Sequence, residues 1–401
     1  MGMRRSAVRY AAPLLALFAI PAGAQALLPP PTPAIAEVRR HFTEEGLNAL
    51  IFHSIASIFD TVPVKAGGQV LEIKRAEVVP TFGYEYNGAK HSFEDVFERT
   101  YTNALLIMRN DRIVFERYRN YTDPETRFLS MSMAKSVTSI LIGAAIADGK
   151  IRSVDDQIVT YVPALRGTAY DGVSIRNALL MKSGIDGTDD YDWFRDPEAK
   201  KGYERATVMN QRRSLDDARA FKRADAPGKT FRYLTTNTEV LGRVLEGATG
   251  QPLASYTSER LWKPLGAQGD ARWMVSGDGL PRNGMGFNAT MRDYARIGLL
   301  MLHDGQSNGH QIIPASWVRE STVPTGPEPA NSMETLGYQY QWWTFPNSNA
   351  YTAIGLQGQY IYVDPDTKTV VVKLSYFPPN KDEYYKETEE FLKAVSAWPG
   401  R

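Results

Sequence analysis

Apolar positions crowd together most densely between Lys135 and Asp148, where the chain carries no charge and apolar residues fall on every face of a 3.6-residue period. That pattern predicts a helix from Ser132 to Asp148, buried all round and closed by Gly149 in the left-handed conformation. Two alternating segments, Ala104 to Met108 and Ile113 to Tyr118, flank Asn110-Asp111 and predict a hairpin. A second hairpin is predicted near the C-terminus, from Gln359 to Val363 and Thr369 to Ser375 around Asp364-Pro365-Asp366. Glu383 to Trp398 then reads as an amphipathic helix. Between the hairpins lie mainly helical patterns: Ile175 to Lys182 capped by Ser174, Thr238 to Ala248 before Gly250, Leu253 to Trp262 before Pro264, and Met291 to His303 before Gly305. Residues 41–100 are mixed, with a helix-like opening from Thr43 to Ile58 and a strand-like run from Gln69 to Ile73. The fold class expected is α+β in two lobes: one antiparallel sheet built from both chain ends and flanked by helices, and a mostly helical lobe over about 150–330.

The N-terminus carries a different pattern. Arg4, Arg5 and Arg9 precede a short apolar run from Ala11 to Ile20, and Ala22-Gly23-Ala24 supplies small residues for cleavage, with Ala24-Gln25-Ala26 as an alternative. This is the pattern of a secretory signal peptide over residues 1–24, too short to remain as a stable membrane span, and it implies a periplasmic or secreted protein. A Pro-rich linker over 25–40, an extension over 41–100 and a main domain over 101–401 follow.

Composition narrows the chemistry. The 401 residues hold 46 Lys+Arg, 45 Asp+Glu and no Cys. Loss of the signal removes three arginines and no acid, leaving 43 basic against 45 acidic side chains and a charge of −2. There is no basic excess for nucleic acid, and disulfides, thiol catalysis and zinc–thiolate sites are excluded. His41, His53, His91, His303 and His310 are scattered, and no His-Glu-x-x-His occurs, so no metal site is expected.

The candidate chemistry sits in the first turn of the most apolar helix. Ser132 and Lys135, three apart, share one face. A serine hydroxyl needs an adjacent base to become nucleophilic, and a lysine serves if burial and a helix N-terminus keep it neutral. The same N-terminus directs backbone N–H groups toward an oxyanion forming beside Ser132. The plain alternative is a helix cap followed by a solvated lysine.

Three ordered stretches resemble the serine β-lactamase and penicillin-binding-protein superfamily on its class C side, nearest its esterase-like and 6-aminohexanoate-dimer hydrolase members. They are Phe128 to Ser136, Pro227 to Thr238 leading into Leu241-Gly242, and Gly355-Leu356-Gln357-Gly358-Gln359. The resemblance covers about Asn103 to the C-terminus and implies the β-lactamase/transpeptidase-like fold without a cofactor. It implies Ser132 as nucleophile, Lys135 as base, Tyr233 as a second acid/base whose phenol pKa is lowered by nearby cations, and the N–H groups of Ser132 and Gln359 as oxyanion hole. Gly358 either lets a strand approach substrate or marks a bulge, and Asn237 is the nearest Asn to the family's Tyr-x-Asn, whose third position here is Thr235. Where β-lactamases carry a lysine that attracts the substrate carboxylate, this chain has Leu356. An apolar residue cannot pair an anion, which favours a neutral ester or small amide as the partner molecule over β-lactams and stem peptides. Arg232, beside Tyr233, is discounted as a substitute because strand alternation would turn it away. Two alternatives remain: a penicillin-binding, D,D-peptidase-like or β-lactamase activity, and a non-catalytic sensor on the same fold. A Ser-His-Asp hydrolase is not supported, since no Gly-x-Ser-x-Gly is present. The acidic-aromatic run Asp189 to Phe194 either rims a pocket or is a solvated loop.

Overall fold

Alternation at the two chain ends builds the central sheet of this computed structural model, which describes residues 26–187, 189, 197–328, 335–379 and 381–400. In β1 (Thr102–Arg109), Ala104, Leu106 and Met108 join the core on one face of the sheet, while Leu105 and Ile107 join the core on the other. Helices cover both faces, so the whole strand is buried and reads as a continuous apolar run. Asn110 and Asp111, at φ 48° and 62°, turn the chain into β2 (Arg112–Tyr118). Two left-handed turn residues match the twist of an antiparallel hairpin.

The C-terminal half supplies β3 (Gly337–Gln339), β4 (Trp342–Thr344), β5 (Tyr351–Gly355), β6 (Gln359–Asp364) and β7 (Thr369–Ser375). The strand order is β3-β4-β5-β6-β7-β1-β2, with Lys74–Arg75 running parallel to β2 at the edge. β7 pairs antiparallel with β1, Val371 opposite Ile107, so both chain ends close one sheet as the pattern predicts. Helix α1 (Met133–Ala147) is buried continuously from Met133 to Ala145 and ends at Gly149, φ 67°. It packs against α2 (Thr235–Thr249) and β5, and α3 (Met291–Leu302) lies on the same face of the sheet. On the other face α4 (Glu383–Ala397) inserts Phe391, Leu392 and Val395 against Leu105 and Ile107.

Three expectations need correction. First, the middle block is not only helical. Thr61–Val64, Ala271–Met274, Phe287–Thr290 and Arg127–Leu129 form a second, four-stranded sheet in that order. Phe287–Thr290 runs straight into α3, whose first turn is capped by the Thr290 hydroxyl, so the helix signal masks the strand. Second, Gln69 to Ile73 is not a strand. Leu71 is held by side and main chain instead, its N–H donating to Gly266 O at 2.9 Å and its carbonyl accepting from Arg296 at 2.8 Å. Third, the linker and the Thr43 to Ile58 helix are both divided. Pro33–Arg40 is a helix with Pro at its first turn, where the missing N–H costs nothing, and buried Arg39 donates to Ile58 O at 2.7 Å. Asn48–Ile51 and Ile55–Ile58 are separate single turns. Among the described residues, no helix is long and apolar enough to cross a membrane.

Candidate active site

Strand Arg127–Leu129 delivers the chain to α1 through one strained residue. Met131 has φ 45°, an uncommon conformation for a side chain of its size, and Ser132 follows as the residue that begins the helix. The Met131 side chain is fixed in an apolar cluster with Phe42, Phe52, Phe59 and Leu129. The end of β5 lies against this turn: a Cβ on Gly355 would sit 2.2 Å from Ser130 O, so only glycine permits the approach. The Ser132 hydroxyl makes no capping bond to its own helix. It is instead 2.9 Å from Lys135 Nζ.

The surroundings of Lys135 fix where its protons lie. Nζ also donates to Thr235 Oγ1 at 2.8 Å and to Gly284 O at 2.9 Å. A carbonyl can only accept. The Thr235 hydroxyl spends its own hydrogen on the Asp189 carboxylate, so toward Lys135 it too can only accept. Two Nζ positions must therefore be N–H donors, and the third, toward Ser132, is the one that can hold a lone pair. Burial pushes the Lys135 amine down to about 8, against the pull of the Asp189 and Glu239 charges.

Tyr233 lies in the extended segment before α2, not in a strand. Its phenol lies near enough to Ser132 for that hydroxyl to favour its ionised form, its ring stacks on Trp343 with centroids 5.6 Å apart, and Lys135 Nζ is 4.9 Å from the ring centroid. Burial pushes the phenol above its usual range, opposite to the expected lowering by cations. Tyr233 is thus a protonated hydroxyl beside Ser132, and of the two candidate bases the lysine is the one near neutrality. Arg232 is turned away, though not by strand alternation: it pairs with Asp225 at 2.5 Å.

Gln359 opens β6 opposite Gly355, and its side chain is buried on Ser375 O at 2.7 Å and Gln357 O at 3.1 Å. Gly358 has φ 90°, and a Cβ there would come within 2.6 Å of the Phe377 ring. Phe377 and the turn both require glycine there. Asn237 is also displaced from its expected place. It is fully buried, accepts from Tyr170 Oη at 2.9 Å and does not line the cavity beside Ser132. Leu356 does line it, packed with Phe42, Met131 and Met285.

That cavity, about 460 Å³, opens from Ser132 and Thr235 toward Tyr203, Arg212, Glu239 and Arg282. Several of its residues escaped the sequence reading. Asp189 accepts from Thr235 N at 2.9 Å and so caps α2; of the run Asp189 to Phe194, only Asp189 lies within the described residues. Glu239 takes the Gly284 N–H at 3.0 Å, and burial raises its pKa. One signal was present: Thr235 and Glu239 are four apart and so share a helix face. Phe42 and Thr43, from the extension that precedes the main domain, form part of the wall. Among the described residues no cluster of His or acidic side chains could hold a metal ion.

Comparison with known proteins agrees with this architecture. The β-lactamase family model matches residues 95–394. A 6-aminohexanoate-dimer hydrolase of Paenarthrobacter ureafaciens is 33% identical over 299 residues, covering 71% of this chain and 75% of the relative. The esterase EstB of Burkholderia gladioli is 27% identical over 190 residues, covering 42% of this chain and 46% of EstB. Among solved structures, a candidate 6-aminohexanoate-dimer hydrolase from Bacillus anthracis superposes with a TM-score of 0.77 at 21% identity, over 89% of this chain and 95% of that one, a likeness of fold. With three quarters of its length matched, the chain belongs to the β-lactamase family of serine hydrolases.

Proposed function

We propose that the protein cleaves ester or small amide bonds through an acyl-enzyme on Ser132, with Lys135 as base and Tyr233 as proton relay. The observation that carries this is the Lys135 amine, whose two fixed acceptors, Thr235 Oγ1 and Gly284 O, leave its third position facing Ser132 Oγ at 2.9 Å. In the neutral enzyme Nζ takes the hydroxyl proton as Oγ attacks the carbonyl carbon. Charge developing on the carbonyl oxygen would be met by the N–H groups of Ser132 and Gln359. Tyr233 passes a proton to the departing alcohol or amine and recovers one from Lys135. Water then releases the acid by the same steps in reverse order.

Leu356 supports esters or amides over β-lactams, because its wall of the cavity is built with Phe42, Met131 and Met285 and carries no cation. The named relatives, an amide hydrolase and an esterase, agree with either bond type. The test is a panel of p-nitrophenyl esters, 6-aminohexanoate dimer and nitrocefin, assayed with wild type and Ser132→Ala. Turnover lost in the variant is expected, and a sensor on this fold would instead acylate without turnover. Export completes the reading: protein recovered outside the cytoplasm should begin near Gln25, and material still beginning at Met1 would remove the signal peptide.

A further inference from the structure

Two helices and one short loop meet at the Lys135 amine. α1 supplies Lys135 and, three residues on, Thr138, whose hydroxyl donates to Asn283 O at 3.0 Å. α2 supplies Thr235, which accepts from Nζ at 2.8 Å, and, one turn on, Glu239. The loop over 282–284 bridges the two helices. The Asn283 side chain donates to Thr238 O at 2.5 Å, and a Cβ on Gly242 of α2 would lie 2.2 Å from Asn283 Oδ1, so loop and helix touch. Gly284 is engaged through both its main-chain groups: its N–H donates to Glu239 Oε1 at 3.0 Å, and its carbonyl accepts from Lys135 Nζ at 2.9 Å. A Cβ on Gly284 would meet Thr235 Cγ2 at 2.6 Å, so glycine is what lets the loop lie this close to α2. Glu239 itself is a half-buried carboxylate on the cavity wall.

We propose that Glu239 is a positioning residue for the base: by holding Gly284 it fixes the carbonyl that takes one Nζ hydrogen. Thr235, four residues earlier on the same face of α2, takes another, and the lone pair is left aimed at Ser132. This rests on Lys135 being the base. A main-chain group that loses its anchoring partner is free to shift, and a misplacement of about 1 Å can cost a reaction about a hundredfold. Glu239 acts through its charge as well. Lys135 faces two carboxylates, Asp189 at the N-terminus of α2 and Glu239 one turn into it, and both raise its pKa against burial. Glu239 in turn faces Arg282 from the loop, Arg243 from its own helix and Lys135 from α1. These cations and the Gly284 N–H favour its ionised form against burial, and Tyr203 and Arg39 stand beyond Arg282.

Three variants separate contact from charge, with p-nitrophenyl acetate as the probe. Glu239→Ala removes both, and should lower kcat at the high-pH plateau at least about tenfold. It should also move the rising limb down by at least about half a pH unit. Glu239→Gln keeps an acceptor for the Gly284 N–H without the charge, and should restore most of the plateau while the limb stays shifted. Glu239→Asp keeps the charge but is one methylene shorter, and should return the limb to its place while the plateau stays low. Gly284→Ala, whose Cβ displaces the same loop with the carboxylate intact, should behave as Glu239→Asp does. Folded variants that share the plateau and limb of wild type overturn the proposal. Losses carried by KM rather than kcat overturn it too, by making Glu239 a substrate contact. If none of the four variants folds, as judged by thermal unfolding, Glu239 and Gly284 serve stability and the proposal falls as well. Failure of the base reading shows differently, as activity retained in Lys135→Arg.

Discussion

Among the described residues, two buried lysines each meet a serine hydroxyl. Lys135 Nζ meets Ser132 Oγ at 2.9 Å, and Lys373 Nζ meets Ser375 Oγ at 2.6 Å. Both amines are pushed down by burial, and both lie 4.9 Å from the centroid of an aromatic ring, Tyr233 or Phe377. Contact and a lowered pKa therefore do not define a catalytic pair. The pairs differ in access and backbone. Ser132 opens onto the cavity at the start of α1, where helix N–H groups converge. Ser375 ends β7, is buried, does not line that cavity, and gives its carbonyl to the Gln359 side chain. Ser375 belongs to the support of the turn, while Ser132 stands where a carbonyl carbon can reach it.

The strongest way to break this comparison is to remove each hydroxyl. Ser132→Ala should lower kcat by at least about a thousandfold, while Ser375→Ala should stay within about threefold. A fluorophosphonate should label the peptide containing Ser132 alone by mass spectrometry. An adduct on Ser375, Ser130 or Ser136 would reverse the assignment. Exchanging the amines comes next. Lys135→Arg should lose about a hundredfold or more, because a guanidinium does not deprotonate. Lys373→Met should remain folded and active, since burial already drives this amine toward its neutral form and the apolar side chain that replaces it is of similar length; equal losses in both variants, measured by kcat and thermal unfolding, would erase the distinction.

A smaller effect lies in the pH profile. With neutral Lys135 as the proposed base and its pKa lowered to about 8, kcat/KM should rise with pH and level off above about 8. Below that the slope approaches tenfold per pH unit. Asp189 raises the Lys135 pKa, so Asp189→Asn should move the rising limb to lower pH while reducing the plateau through the loosened Thr235 contact. A limb that stays in place would separate Asp189 from the base. The smallest effect comes from the substrate side. Leu356→Lys should improve nitrocefin turnover several-fold, up to about tenfold, relative to a neutral short-chain ester. Wild type that hydrolyses β-lactams as well as simple esters would show that Leu356 does not set the preference.

How much of this was legible in the sequence depends on how local each cause is. α1 is set by an uncharged run between Lys135 and Asp148 and by one glycine, so its limits were readable to within a residue. The hairpin at Asn110-Asp111 is equally local. Tyr233 had no local signal of its own and entered through family resemblance. Thr235 and Asp189 take their meaning from partners 46 to 100 residues away, and Arg282 from a shared cavity, which no periodicity encodes. The second sheet was missed because its strands are four residues or fewer and one of them merges into a helix start.

Gln357 reaches out of the turn between β5 and β6 to donate its side-chain N–H to Thr43 O at 2.8 Å, and Phe42 and Thr43 wall the cavity. Both residues precede the part of the chain that matches the family, which begins at residue 95. One wall of the cavity therefore comes from outside the stretch that the family model matches. A chain cut at residue 95 would keep Ser132, Lys135 and Tyr233 but lose one side of the cleft, and swapping the leading segment between relatives offers a route to new selectivity that leaves the reacting groups untouched.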